Sequence, residues 1–581
     1  MKDIIKRLFK KYKWLVIIEV LFIIINVYLV AIPSRIVGNL INYLYDIDVN
    51  KELIIQSVIK LLVVCTGFML TRVIWKSIEV KLEFATTKDL KDEMFSKMLK
   101  SKIDSLEEIK NGKIMSFFVS DTQKVSKISS RMISSLSRIA LNFIIVGYLM
   151  FKSSNIKLTV IALIPIFITV IIIILLKNKI SESYINAQKS FTELSEYVQE
   201  STDSIRTTKA FVGEDFKIKE FKIKNSEVKE NNLKVVKFQN LLDIFINVGF
   251  GIAYAITLLY GSNLVINGTI TIGDLVAFNG YLGILSMPVN WLPWVLIKYK
   301  KSKVSLKRLE ELVNLPEEQI EIIDSEKYGE LKGNIEIKNL TYNYPGYIER
   351  VLENISINIK PGESLGIIGV IGSGKTTLMN LLLKLYDVEK GKIFIDGVDI
   401  NDIPTKKIRD NICYITQDNF LFSATLKENI NLFKDNYKDS EIEDSTKKAM
   451  IYEEISEMEE GIHTVIGEKG IDLSGGQKQR VVISRAFLNK SNIVIFDDTF
   501  SALDNRTEQH VLNNIKDLTK NKTCIIISNR ISDIKDCDKI IVLHQGEIIE
   551  EGSHESLLDE KGKYYEFFEN QAHKAKFSVL D

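Results

Sequence analysis

The stretch IKLTVIALIPIFITVIIIILLK, residues 156–177, constrains this chain more than any other. A helix needs about 20 mostly apolar residues to cross a bilayer, and this run suffices alone. Five more runs of the same character lie at about 14–33, 53–75, 132–151, 241–264 and 275–298. A soluble core rarely needs six buried helices of that length, so the first 300 or so residues read as a helical membrane domain. The whole-chain figures, 46% hydrophobic and net charge +1, hide this because they average two unlike halves of a 581-residue chain.

Orientation follows from the basic residues. The N-terminal MKDIIKRLFKKYK is strongly basic, and the segments after the second, fourth and sixth spans are long and rich in Lys and Arg. The opposite connections, 152–156 and 267–274, are short. Both termini are therefore expected in the cytosol. A cleaved signal peptide is disfavoured, since no small-residue cleavage pattern follows the first apolar run. Cys65, Cys413, Cys524 and Cys537 have neither metal-ligand spacing nor a compact disulfide framework, and reduced thiols are expected.

Each of the two long internal loops reads as helix, turn, helix. Helix formers from 76 to 102 extend the second span by about 40 Å at 1.5 Å per residue. The chain is expected to turn back at NGKIMSFFVSDTQKV, 111–125, and the second loop at DSIRTTKAFVGEDF, 203–216. Phe117, Phe118, Phe211 and Phe216 at these tips favour contact with a partner surface. The membrane domain is taken as 1–310, with a charged linker at 311–332 broken by Pro316. From 333 to 570, short β-rich runs alternate with helical stretches, which is the pattern of an α/β domain with a largely parallel sheet. Residues 571–581 read as a tail.

GVIGSGKT, 369–376, matches G-x-x-x-x-G-K-[ST], between a predicted strand (SLGIIG) and an amphipathic helix (TTLMNLLLKLY). Glycines there let backbone amides converge on phosphate, and the helix N-terminus adds its dipole. Lys375 is placed to reach the β and γ phosphates and Thr376 to hold Mg²⁺. The strand IVIFDD ends in two carboxylates, Asp497 and Asp498. The first is assigned to Mg²⁺, and the second to the attacking water, for which a general base must lie within hydrogen-bond reach.

LSGGQ, about twenty residues before that strand, combines with GVIGSGKT, IVIFDD and SALD to resemble the nucleotide-binding domain of ATP-binding cassette (ABC) transporters. The six spans with two long loops resemble an exporter half-transporter. The resemblance covers almost the whole chain. It implies a multidomain protein, with an all-α transmembrane domain of six helices followed by an α/β P-loop NTPase-type cassette, ATP and Mg²⁺ as cofactors, and ATPase activity coupled to transport. It further implies ATP binding by Tyr344 (stacking on adenine), Gly369, Val370, Ile371, Gly372, Ser373, Gly374, Lys375, Thr376, Thr377 and Gln417. Thr376, Gln417 and Asp497 are implied at the metal. Leu473, Ser474, Gly475, Gly476 and Gln477 would serve the partner's ATP, and Ser501, Ala502, Leu503 and Asp504 would form a loop crossing to the opposite site. TVIGEKG, 464–470, resembles an exporter-specific loop that touches the helical tips, which themselves resemble coupling helices.

Two departures stand out. The family's acid after the Mg²⁺ aspartate is Glu, but here it is Asp498, whose carboxylate sits one methylene, about 1.5 Å, nearer the backbone. A misplacement of about 1 Å can cost about a hundredfold in rate. The family's His at the γ-phosphate switch is replaced by Asn529, which can donate a hydrogen bond but cannot carry charge. Both impair groups serving this chain's own phosphate loop, while LSGGQ is intact. The expectation is a heterodimer with a second half-transporter in a bacterial plasma membrane, this chain supplying the degenerate site. Alternatives are a homodimeric exporter with a slow ATPase, or an ATP-gated regulatory or channel-like cassette protein. No nucleic-acid partner is expected. A drug, lipid or peptide all stay open as substrate. Glu19 and Arg72 are candidate functional charges within spans, with snorkelling or mutual pairing as the plainer reading. Asn279, Asn290, Trp291 and Trp294 are candidates for lining a cavity or for packing.

Overall fold

The computed structural model of the chain describes residues 2–577 apart from 46–50, 110, 154, 319–330, 348, 435, 468–472 and 521. It divides into two units, Met1–Lys100 with Ile109–Leu315, and Ser101–Glu108 with Pro316–Asp581.

The first unit is all helix. In chain order come α1 (Lys2–Tyr45), α2 (Lys51–Lys100), the short α3 (Ile103–Glu107) that belongs to the other unit, α4 (Asn111–Ser116), α5 (Thr122–Lys127), α6 (Ile133–Ser153), α7 (Ile156–Asp203), α8 (Ile205–Ala210), α9 (Glu214–Ile266) and α10 (Ile272–Val313). Single π turns at Phe117–Asp121 and Ile128–Met132 join α4, α5 and α6 into one path. Among the described residues six helices are long and apolar enough to cross a membrane, and they contain all six runs read from the sequence. Pro33, Pro165, Pro288 and Pro293 lie inside these helices, as membrane helices tolerate.

Helices approach closely where side chains are small, the usual device when lipid supplies no hydrophobic drive. A Cβ at Gly38 would lie 2.3 Å from the Gly273 carbonyl oxygen, and one at Gly249 would lie 2.1 Å from Thr169 Oγ1. Ile166, Ile173, Phe278 and Tyr281 fill the interior, while Leu62, Val63 and Leu175 face outward. Buried polar groups are largely paired. Asn26 donates to the Phe68 carbonyl and Thr71 Oγ1, Lys76 pairs with Glu79 (2.6 Å), and Arg131 with Glu83 (2.5 Å). Asp121 Oδ1 accepts from Ser305 Oγ (2.7 Å) and Arg308 (2.9 Å).

Several expectations change here. The first loop leaves its long helix at Ser101, and 111–125 is helical rather than a turn. Asn111 and Gly112 stand at the start of a helix, where both residue types are also favoured. Phe117 is fully buried and Phe118 packs edge-on against Phe95 (6.3 Å) instead of standing at a tip. In the second loop α8 lies within 203–216, Val212 adopts φ +50°, and Phe211 (82%) and Phe216 (63%) are exposed. Among the described residues no ion pair joins Glu19 to Arg72: Glu19 is 1% exposed with Oε1 unpartnered, and Arg72 is exposed. Trp291 lies beneath the Arg138 guanidinium (3.8 Å) and Trp294 packs edge-on against Tyr184 (5.8 Å). Asn279 bonds back to the Leu275 carbonyl, and Asn290 is exposed.

The second unit holds two sheets. β1 (Ile335–Tyr342), β2 (Leu352–Ile359), β4 (Ile393–Ile395) and β5 (Val398–Asp399) form an antiparallel sheet in the order β2-β1-β4-β5. The sequence reading, which expected largely parallel pairing, did not foresee it. The larger sheet contains β3 (Ser364–Ile368), β6 (Ile412–Ile415), β7 (Ile493–Asp497), β8 (Thr523–Ile527), β9 (Lys539–His544) and β10 (Glu547–Gly552), ordered β10-β9-β3-β8-β7-β6. It is parallel throughout except at the β10 edge. Both faces are covered, which is why β7 and β8 are apolar and buried along almost their whole length. The helices are α11 (Lys375–Leu382), α12 (Thr405–Asn411), α13 (Leu426–Asn431), α14 (Asp439–Lys448), α15 (Tyr452–Ser456), α16 (Gly475–Leu488), α17 (Asn505–Thr519), α18 (Ile531–Ile534), α19 (His554–Glu560) and α20 (Lys563–Phe577). The expected tail is thus helical as far as Phe577. Most of the expected linker, 319–330, and part of the loop at 464–470 lie outside the described residues.

Candidate nucleotide site

Strand order assembles the site. In open parallel sheets ligands bind outside the carboxyl ends of the strands. The neighbours β3, β8, β7 and β6 carry at those ends, in turn, the 369–376 loop, Asn529, the Asp497–Asp498 pair and Gln417. Four motifs spread over 160 residues of chain, from Gly369 to Asn529, therefore meet. They line a cavity of roughly 200 Å³ with Ile371, Gly372, Ser373, Gly374, Lys375, Thr376 and Thr377. Val351, not foreseen from the sequence, also lines it.

The loop is shaped by glycine. Gly374 sits at φ +99°, and a Cβ there would lie 2.9 Å from the Val351 carbonyl oxygen. A Cβ at Gly369 would lie 2.1 Å from the Leu543 carbonyl oxygen. Lys375 Nζ donates to the carbonyls of Gly369 (2.7 Å) and Val370 (2.9 Å). Burial lowers its pKa, against the pull of Asp497 and Asp498.

Asp497 is 1% exposed, and burial raises its pKa from the usual carboxylate range. Tyr414, a residue the sequence reading passed over, donates from its hydroxyl to Asp497 Oδ2 (2.9 Å). Asp498 is half-buried at φ +46°, with its amide bonded to the Ile527 carbonyl (2.9 Å). Asn529 is exposed at the cavity, and its carbonyl accepts from Gln571 Nε2 (2.8 Å). The donors Thr376, Gln417 and Asp497 are all hard oxygen groups around one cavity. Among the described residues no cluster of three His, Cys, Asp or Glu could cage a metal alone. One carboxylate, a hydroxyl and an amide suit Mg²⁺, which prefers one or two carboxylates plus substrate phosphates to an all-protein cage.

Tyr344 stands close to this group but outside the cavity lining. Its ring meets Tyr342 (5.4 Å) and Tyr386 (5.1 Å) edge-on, and its hydroxyl bonds Thr377 Oγ1 (3.0 Å). The LSGGQ residues do not line the cavity either. Ser474 caps α16, with Oγ accepting from the Gln477 amide (3.3 Å) and Gln477 Oε1 accepting from the Ser474 amide (2.9 Å). Leu473 is buried, while Gly475 is open to solvent. Ala502 donates to Gln479 Oε1 (3.0 Å), Ser501 accepts from Arg530 (3.1 Å), Leu503 is buried and Asp504 caps α17. One chain thus presents a phosphate-loop half-site and, apart from it, a capped glycine-rich helix start.

Two family models match, the ABC transporter transmembrane region over residues 15–289 and the ABC transporter domain over residues 352–501. A Bacillus subtilis (strain 168) protein named "Probable multidrug resistance ABC transporter ATP-binding/permease protein YheI" is 33% identical over 80% of this chain and 79% of its own length. The multidrug resistance-like ATP-binding protein MdlA of Escherichia coli (strain K12) is 27% identical over 95% and 93%. An ATP-dependent lipid A-core flippase of Syntrophus aciditrophicus (strain SB) is 31% identical over 83% and 80%. The solved structure of a bacterial Atm1-family ABC exporter with ATP bound superposes with a TM-score of 0.81 at 23% identity, covering 97% of this chain and 98% of that one, and so shares the fold.

Proposed function

This chain belongs to the ABC transporters, as a six-helix membrane domain joined to an ATP-hydrolysing cassette, and on that premise we propose that it is the degenerate-site half of a heterodimeric exporter. The observation that carries the reading is the composition of the cavity. Asp498 and Asn529, the two departures from the family pattern, both line it, and the intact LSGGQ does not. This chain and a second half-transporter face to face would each complete the other's phosphate loop. The weakened acid and switch would then sit in one site, while this chain's signature would finish the partner's.

In that reading the amides of the 369–376 loop and Lys375 hold the phosphates, and Tyr344 contributes at the adenine. Thr376, Gln417 and Asp497 hold Mg²⁺, which offsets phosphate charge. Asp498 takes the general-base position and Asn529 donates to the γ-phosphate. The first two glycines of α16, with its N-terminal dipole, serve the anion of the opposite site. Closing the sandwich drives the membrane halves between inward and outward arrangements. The cassette and both termini lie in the cytosol, on the side of the basic loops. Multidrug resistance and lipid A-core flipping are named for the relatives, and an amphiphile taken from the bilayer is the substrate class we assign.

The test compares steady-state ATPase of the purified chain with that of the chain assembled with its partner half-transporter. Stoichiometric ATP binding with little turnover alone, and robust turnover in the assembly, supports the reading. Robust turnover by the chain alone overturns it.

A further inference from the structure

Tyr414 lies on β6, opposite Ile495 of β7 and three residues before Gln417, and belongs to none of the motifs that define the site. Its hydroxyl reaches across to the end of β7 and donates to Asp497 Oδ2 at 2.9 Å. Asp497 is almost wholly buried and Tyr414 half-buried, so water does not compete freely for this bond.

The geometry has a consequence for metal binding. The final torsion of an aspartate is broad, so a carboxylate held only by its backbone can rotate. A phenol on Oδ2 restrains that rotation from the β6 side, while the Thr376 hydroxyl, itself assigned to the metal, also bonds this carboxylate. We propose that Tyr414 is a positioning residue of the Mg²⁺ half-site, its hydroxyl holding the Asp497 carboxylate in the orientation that receives the metal. This rests on the reading that Thr376, Gln417 and Asp497 hold Mg²⁺. Hydrogen-bond partners of metal-binding carboxylates change metal affinity by about 10- to 100-fold when removed. The purely structural alternative is that the phenol only satisfies a buried carboxylate, in which case Tyr414→Phe lowers the melting temperature and leaves metal dependence alone.

The test uses the full chain in detergent and ATP as the probe, with affinity measured in EDTA and across a series of free Mg²⁺ concentrations. In the wild type Mg²⁺ tightens ATP binding. In Tyr414→Phe the EDTA affinity stays within about twofold, and the Mg²⁺ concentration for half-maximal tightening rises about tenfold. Asp497→Asn serves as a second variant without the buried charge. Adding Tyr414→Phe to it changes nothing further, because coupled groups are not additive. An unchanged Mg²⁺ midpoint in Tyr414→Phe overturns the proposal, as does loss of ATP binding already in EDTA, or an equal Tyr414→Phe effect in the Asp497→Asn background. Wild-type binding of ATP with no response to Mg²⁺ overturns the metal assignment beneath it, and absence of wild-type ATP binding in EDTA and Mg²⁺ alike overturns the nucleotide site itself.

Discussion

Asp498→Glu should restore activity to this chain's own site at a small expense in stability. The backbone of Asp498 is left-handed at φ +46°, a region Asp enters more readily than Glu. The left-handed penalty for an ordinary residue is about 1–2 kcal/mol, so the longer side chain should lower stability by about 1 kcal/mol at most. That corresponds to a drop of about 2–4 °C in melting temperature for a domain of this size. Against it, the extra methylene advances the carboxylate by about 1.5 Å into the cavity that Lys375, Gln417 and Asn529 also line. If that distance is the fault, up to about a hundredfold in rate returns, or about 2.7 kcal/mol of barrier. The assay is steady-state ATPase at saturating Mg·ATP in the assembled transporter whose partner site has been disabled, with melting followed in parallel. A rise of tenfold or more is expected, and a further rise when Asn529→His is added. Unchanged or lower turnover, with ATP affinity intact, would refute the distance argument.

Tyr344→Ala should weaken ATP affinity about fivefold or more, since base–aromatic stacking contributes about 1–3 kcal/mol. Tyr344→Phe, which loses only the bond to Thr377, should bind ATP nearly as the wild type does in the same titration. Asp533, buried and bonded to Ser528 Oγ (2.5 Å), has its pKa raised from 3.8, by burial first and by repulsion from Glu508 in addition. Its folded form therefore holds a proton that the unfolded chain has already lost. The linked stability is fully present below the unfolded pKa of 3.8 and falls as pH rises toward the folded pKa. Asp533→Asn should flatten that loss, so its melting temperature should gain on the wild type between pH 5 and pH 8. An identical pH slope in both proteins would contradict the assignment.

Much of this was legible in the sequence because the physics there is local. A bilayer demands about 20 apolar residues, so residues 156–177 declare a span without any partner. The phosphate loop, its strand and its helix are contiguous, and so are Asp497 and Asp498 on their buried strand. What could not be read depends on contacts distant in sequence. Tyr414 becomes significant only when β6 lies beside β7, and no local pattern gives that strand order. Gln571, which looked like tail, bonds both the Asn529 carbonyl and the Ile531 amide some 40 residues away. The first reversal was misplaced because Asn111–Gly112 suits a helix start as well as a turn. Ser101 ends the long helix without a Gly or Pro to announce it. Mutual pairing, one of the two plainer readings of Glu19 and Arg72 beside snorkelling, is not formed, for a related reason. Helix registry decides which charges meet, and Lys76 and Arg131 found Glu79 and Glu83 instead.

The most direct measurement ranks two lesions placed in this chain, each assembled with an unaltered partner. Gly476→Asp puts an anion at the start of α16, where the opposite site's phosphate is expected. A Cβ at Gly476 already lies 3.2 Å from the Ala502 carbonyl oxygen, so Gly476→Ala controls for crowding. Lys375→Ala disables this chain's own phosphate loop. Losing a transition-state contact of this kind costs about a hundredfold or more. Steady-state ATPase at ATP concentrations that saturate the competent site should therefore nearly vanish in Gly476→Asp and largely survive Gly476→Ala. It should fall about tenfold or less in Lys375→Ala. Equal loss from Gly476→Asp and Lys375→Ala, or the reverse order, would contradict the claim that Asp498 and Asn529 mark the degenerate site of the pair.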